Sequence, residues 1–163
     1  MKKSKKQNII IVAIAIIIIG AIAGYNYSVD QTKQKGLKFG NELQQIQEEV
    51  KQLQTEFNSK ITQWEEGDLS QQELSEYSEN HIEKLQNVIL KYDDLIPPKQ
   101  FASSVELFKL STQAQLDSDK EFIEWIKTSD DSHKIRSDSL LQESFEYEMM
   151  ALGEFNAAKS GLR

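Results

Sequence analysis

The sequence predicts an all-α protein: an N-terminal single transmembrane helix, or a signal peptide in its place, followed by an up-down-up-down antiparallel four-helix bundle. Three observations carry that expectation. An uncharged run from Ile9 to Gly24 follows a lysine-rich start. Four stretches with apolar residues at helical spacing then fill residues 41–160. The breaks between them are short, so consecutive helices must turn back on one another. Seven glycines and two prolines in 163 residues are also few for an all-β domain, which spends both on turns.

The first element is read from charge. The net charge of −7 is an average of two unlike parts. Residues 1–8, a basic tail, hold Lys2, Lys3, Lys5 and Lys6 and no acid; the first acid is Asp30. Beyond residue 24 there are 15 bases and 26 acids, a net of −11. Nine of the sixteen residues in Ile9–Gly24 are isoleucine. Ten Ile/Val side chains at about −0.5 kcal/mol each favour the bilayer by roughly 5 kcal/mol. Sixteen helical residues rise about 24 Å, a little short of the hydrocarbon core. Tyr25 and Tyr27 extend the segment to residues 9–27 by sitting in the interface, and the lysines snorkel on the other side. The lysine asymmetry keeps the N-terminus cytoplasmic and places residues from 28 onward outside the cell membrane.

A cleaved signal peptide is the competing reading, because Ala21-Ile22-Ala23 forms a small-residue processing site; cleavage after Ala23 would release a secreted protein. The anchor is preferred because residues 28–40 continue as a helical stalk, weakened by Gly36 and Gly40. Both readings export the remainder. The implied partners are the lipid bilayer and a membrane or envelope protein.

The four helices are expected at about 41–66, 70–96, 98–127 and 130–160. In the first, Leu43, Ile46, Val50, Leu53, Phe57, Ile61 and Trp64 follow a near-heptad stripe, with Asn41 as a cap. That pattern also admits a homodimer through the stalk and first helix. The second opens on Ser70-Gln71-Gln72-Glu73, a capping box stapled by Leu69 and Leu74. Its stripe is Leu74, Tyr77, His81, Leu85, Val88, Tyr92 and Leu95, and Pro97-Pro98 ends it. Pro98 suits the first turn of the third helix. There the inward positions read Phe101, Val105, Phe108, Thr112, Gln115, Asp119, Phe122 and Ile126; a rotated alternative faces Leu107, Leu110 and Leu116 inward. The fourth starts near Ser129-Asp130-Asp131 and carries Ile135, Leu141, Phe145, Met149, Leu152 and Phe155. The many glutamines read as solvated exterior residues. Residues 41–163 make one bundle, large enough to bury a core without cross-links.

Two residue groups stand out. With the first helix rising from the membrane, His81 lies about 11 residues below the far end, Gln115 about 12 and Asp119 about 8, so all three could share one buried layer. The plain reading is a polar layer that fixes helix register; the functional one is a small pocket that responds to pH through His81. At the far end Trp64, Trp125, Tyr77 and His133 gather in an acidic surround. The plain reading is that the tryptophans plug the bundle; the functional one is a partner-docking tip.

Other chemistry is excluded residue by residue. Without cysteine there is no disulfide, thiolate zinc site or thiol nucleophile. Net acidity argues against nucleic acid. Two histidines and no Glu-x-x-His leave no ferritin-like metal site, and His81 and His133 stand too far apart to ligate one haem. Asp117-Ser118-Asp119-Lys120-Glu121 lacks the glycine and final glutamate of a calcium loop. No catalytic residues, metal or cofactor are expected. The expected function is a non-catalytic envelope interaction or structural module. The alternative is a ligand-binding or sensory four-helix ectodomain acting through a membrane partner, similar in architecture alone to the periplasmic sensory domains of chemoreceptors.

Overall fold

The computed structural model describes residues 34–161. The lysine tail, the segment at residues 9–27 and the first part of the stalk lie outside the described residues. Among the described residues, no helix is long and apolar enough to cross a membrane.

The described chain is all-helical and packs as a bundle. Its elements are α1 (Gln34–Glu65), α2 (Gln71–Asp93), a 3₁₀ turn (Lys99–Phe101), α3 (Ala102–Thr128) and α4 (Asp131–Ser160). Side-chain pairs give the directions. Lys91 meets Glu49 while Tyr77 meets Glu56, so α1 and α2 run antiparallel. Tyr92 meets Thr112 while Gln71 meets the Ile126 carbonyl, so α2 and α3 do too. Ser118 meets Ser137 while Ser111 meets Ser144, which sets α4 against α3.

The first helix begins at Gln34, before the expected start, and Asn41 sits inside it rather than capping it. The reason is Phe39. It is buried, and its ring lies 5.6 Å from that of Phe101, which anchors a turn that Gly40 would otherwise weaken. At the other end Gly67 takes φ +84° and donates to the Trp64 carbonyl at 3.0 Å, while Asp68 donates to that of Gln63 at 2.8 Å. Such left-handed caps satisfy the last carbonyls of a helix and favour glycine. The Ser70–Glu73 capping box is formed in both directions. α2 ends at Asp93, short of the expected residue 96, with Asp94 as its C-cap; Pro97 keeps Ile96 out of helical geometry, so the chain does not resume the helix before Pro98. Phe101 then donates to the Pro98 carbonyl at 2.8 Å, and α3 grows from that turn. Asp130 caps α4 by accepting from the Ser132 amide at 2.9 Å.

The apolar positions of the first stripe, Leu43, Ile46, Leu53 and Phe57, are buried within the chain's own bundle. Leu85, Val88, Phe108 and Leu116 join them. At the end opposite Trp64, the Phe101 ring packs at a tilt between those of Phe39 and Phe155, with Phe155 at 5.0 Å.

The inward face of α4 differs from the expected stripe. Ile135 is 71% exposed and Met149 56%, and Leu141, Phe145 and Leu152 are half-buried; Phe155 alone of that stripe is buried. The buried face is instead Ser137, Ser144 and Ala151, seven apart. It meets Ser118, Ser111 and Ser104 of α3, also seven apart, in antiparallel register. Ser144 Oγ donates to the Ser111 carbonyl at 2.9 Å, and Ser118 Oγ to the Ser137 carbonyl at 2.8 Å. Side chains that reach the opposite backbone require close helices, and a large apolar residue in that seam would force them apart. α3 is therefore buried on two sides: Leu116 is inside together with the Phe101–Asp119 stripe, whereas Leu110 is at the surface.

Candidate functional site

Along the α1–α2–α3 interface the bundle interior is crossed by two polar layers. In the first, His81 Nε2 lies 2.9 Å from Asp119 Oδ2. A carboxylate only accepts, so that nitrogen carries the proton. The same oxygen accepts from Gln54 Nε2 at 2.7 Å. Phe57 stacks on the imidazole, with centroids 4.2 Å apart and planes 7° from parallel. His81 Nδ1 is buried with no partner. In the second layer, Gln47 Nε2 donates to the Tyr92 hydroxyl at 2.7 Å. Tyr92 lies 3.0 Å from Thr112 Oγ1, which donates to the Phe108 carbonyl. The Tyr92 hydroxyl thus accepts from Gln47 and has Thr112 Oγ1 as its second partner, and burial pushes the Tyr92 phenol well above its ordinary range.

The structure brings His81 and Asp119 together, but Gln54 rather than Gln115 completes their layer. Gln54 and Gln47 correct the reading of the glutamines as exterior residues; both are buried. Their signal was positional. They lie seven apart, each directly after an inward Ile46 or Leu53, on the flank of the stripe.

Gln115 faces elsewhere. Beside the His81 layer a half-open cleft of about 100 Å³ lies between α1 and α4, with α3 as its floor. Phe57, Asn58 and Ile61 line one side, Lys134, Asp138 and Leu141 the other, and Gln115, Asp119 and Phe122 the base. Two of its polar groups open onto this space: neither Asp119 Oδ1 nor the Gln115 carboxamide is hydrogen-bonded to any described residue. Lys134 is held by Asp138 one turn along α4, and its ammonium lies 5.7 Å from the Phe122 centroid. The cleft exists because α4 is drawn onto α3 by the serine seam, which leaves the α1–α4 side less filled.

The expected tip residues do not form one surface. Trp64 and Trp125 meet edge-to-face at 6.1 Å, and Phe122 lies 5.4 Å from Trp125, so the half-buried tryptophans cover the bundle end and each other. Tyr77 is down the side of the bundle, where it faces Glu56 and Lys60 of α1. His133 binds Glu121 at 2.6 Å, and Arg136 takes that carboxylate's other oxygen at 3.0 Å. The His133 contact, with Arg136 adding to it, holds Glu121 below the usual carboxylate range. The hydrogen bond to Glu121 thus ties His133 to the α3–α4 pair.

One further half-buried group was not read from the sequence. Glu148 of α4 has no hydrogen-bond partner among the described residues, and partial burial pushes its carboxyl up to about 7. Among the described residues no three His, Asp or Glu side chains gather as metal ligands. No protein-family model, curated protein or solved structure matches the chain.

Proposed function

We propose that the chain is a non-catalytic, membrane-anchored module that docks onto another envelope protein through the outer face of α4. The observation that carries this is the use of α4's two sides. Its serines and Ala151 build the fold, and Ile135, Met149 and Met150 are left 71%, 56% and 56% exposed. These three fall within about 100° of one another around the helix. Gln142, Glu143 and Glu146 share that side, so the fitting partner surface is apolar with basic flanks. The N-terminal anchor would confine the search for that partner to the membrane.

The test is photo-crosslinking in intact cells from residues 135 and 149, with residue 86 on α2 as a control. A single partner joined from the α4 positions, through a segment rich in apolar and basic residues, is the expected result. Equal, diffuse labelling from all three positions would remove this reading.

A ligand-binding ectodomain is the second reading. It is favoured by the cleft, where two mostly buried polar groups face free space without a protein partner.

A further inference from the structure

We infer that the α1–α4 cleft is a site for a small organic amine. This rests on the ligand-binding reading and names its chemical class. The argument begins with Asp119. The residue is 7% exposed, and both of its hydrogen bonds, from His81 and Gln54, end on Oδ2. Oδ1 receives none, and Asp119 lines the cleft. Gln115, 8% exposed, lines the same space with its carboxamide unpartnered. Asp119 Oδ1 opens onto the cleft and takes its donors from whatever fills it, so a ligand that displaces water there must donate.

Charge narrows the class. Lys134, the cation among the lining residues, is engaged by Asp138 and by the Phe122 ring. Asp119, Asp138 and Glu65 then outnumber it, which disfavours an anion. A cationic donor, unlike a neutral one, also gains from that surplus of carboxylates. A primary ammonium offers three donors, enough for Asp119 Oδ1 and the Gln115 oxygen together. Behind that polar end, Phe57, Ile61, Phe122 and Leu141 form an apolar wall for a short stem, and the aromatic rings also suit a cation. The free volume of about 100 Å³ equals roughly three waters, which limits the buried part to a short chain. The half-open mouth lets a longer stem emerge.

The experiment is a titration of the full-length chain in lipid nanodiscs, followed by amide chemical shifts. The probes are n-butylammonium, 1-butanol and butyrate, three ligands of similar stem and different head. Saturable shifts are expected with n-butylammonium near residues 57, 115 and 119, with the other two probes at least about tenfold weaker. Gln115→Leu, which leaves the His81–Asp119–Gln54 contacts in place, weakens n-butylammonium several-fold; Asp119→Asn abolishes its preference over 1-butanol. If Asp119→Asn does not fold, the Gln115→Leu result decides. Saturable binding of 1-butanol or butyrate at the same residues, as strong as the amine's, overturns the amine inference and leaves a ligand site. A cleft that responds to none of the three holds water only, and both readings fall.

Discussion

α3 meets its neighbours in two different ways. Toward α1 and α2 it presents large side chains, Phe108 and Leu116, interrupted by Thr112 and Asp119, whose partners reach from other helices. Toward α4 it presents Ser104, Ser111 and Ser118 to a matching row of Ser137, Ser144 and Ala151. In the first interface specificity comes from polar groups that can be satisfied in only one register. In the second it comes from proximity, because the serine hydroxyls bond the opposite backbone. The two interfaces are linked. Close approach of α4 to α3 opens the α1–α4 side, so a row of small residues on one face creates the cleft on another.

The largest expected effect breaks the second interface. Ala151 is fully buried in the seam, and Ala151→Leu must separate the helices or strain its rotamer. A loss of about 3 kcal/mol in urea unfolding is expected, at the upper end for overpacking. A loss below about 0.5 kcal/mol, the level of an ordinary surface change, would show that the seam is loose.

Glu148 tests how α4 tolerates a charge on its inner side. Its folded pKa of about 7 stands above the ordinary glutamate value of about 4.5, so between these values the folded chain holds more protons than the unfolded one. Stability is then greatest with Glu148 protonated, falls as the pH rises from about 5 through 7, and stays low above that. The full difference is on the order of 2–3 kcal/mol. Glu148→Gln should remove this slope and be the more stable protein at pH 8. Glu73, Glu121 and Asp130 act in a separate window, since hydrogen bonds lower their pKa values; their contribution is lost only as the pH falls below the ordinary carboxylate range. A wild-type profile flat between pH 5 and 8 would show that the half-buried Glu148 carboxyl is solvated as in the unfolded chain.

The His81 layer makes the opposite case, a charge that is partnered. His81→Leu takes one of two donors from a buried carboxylate, and a cost of about 2 kcal/mol is expected. Combining His81→Leu and Asp119→Leu with Gln54→Leu should recover most of it, because apolar groups can replace a buried polar set when no member is left unpaired. A double-mutant cycle with no coupling would mean that the 2.9 Å contact contributes nothing.

These two interfaces also explain what could be read from sequence. The α1 and α2 stripes are patterns of large apolar residues, and periodicity finds them; the Ser70–Glu73 box and the Gly67 stop depend on local chemistry alone. His81 and Asp119 were legible because a titratable residue interrupts an apolar stripe. α4 was misread because serine is the usual mark of an exterior position, while Ile135 and Met149 carry the usual mark of an interior one. Only a seven-residue repeat of small side chains, present in both α3 and α4, could have indicated the reverse. Gln54 was missed because a long polar side chain on the flank of a stripe can turn inward as readily as outward. Glu148 sits one turn beyond Ser144 on that unrecognised inner face, so its burial was hidden by the same error.

The smallest expected stability change is also the sharpest test of why α4's large residues point outward. Ile135→Ser removes an apolar side chain that is 71% exposed and belongs to no core cluster, so unfolding should shift by no more than about 0.5 kcal/mol. If the outer face of α4 docks a partner, the same substitution should cost far more in association than in folding, because a side chain at the centre of an interface becomes fully desolvated only on binding. Ile135→Ser and Met149→Ser together should then lose the α4 crosslinks in cells while melting at the wild-type temperature. Retained crosslinks with a lowered melting temperature would mean the reverse: that Ile135 and Met149 are part of the folded core and that α4 has no docking face.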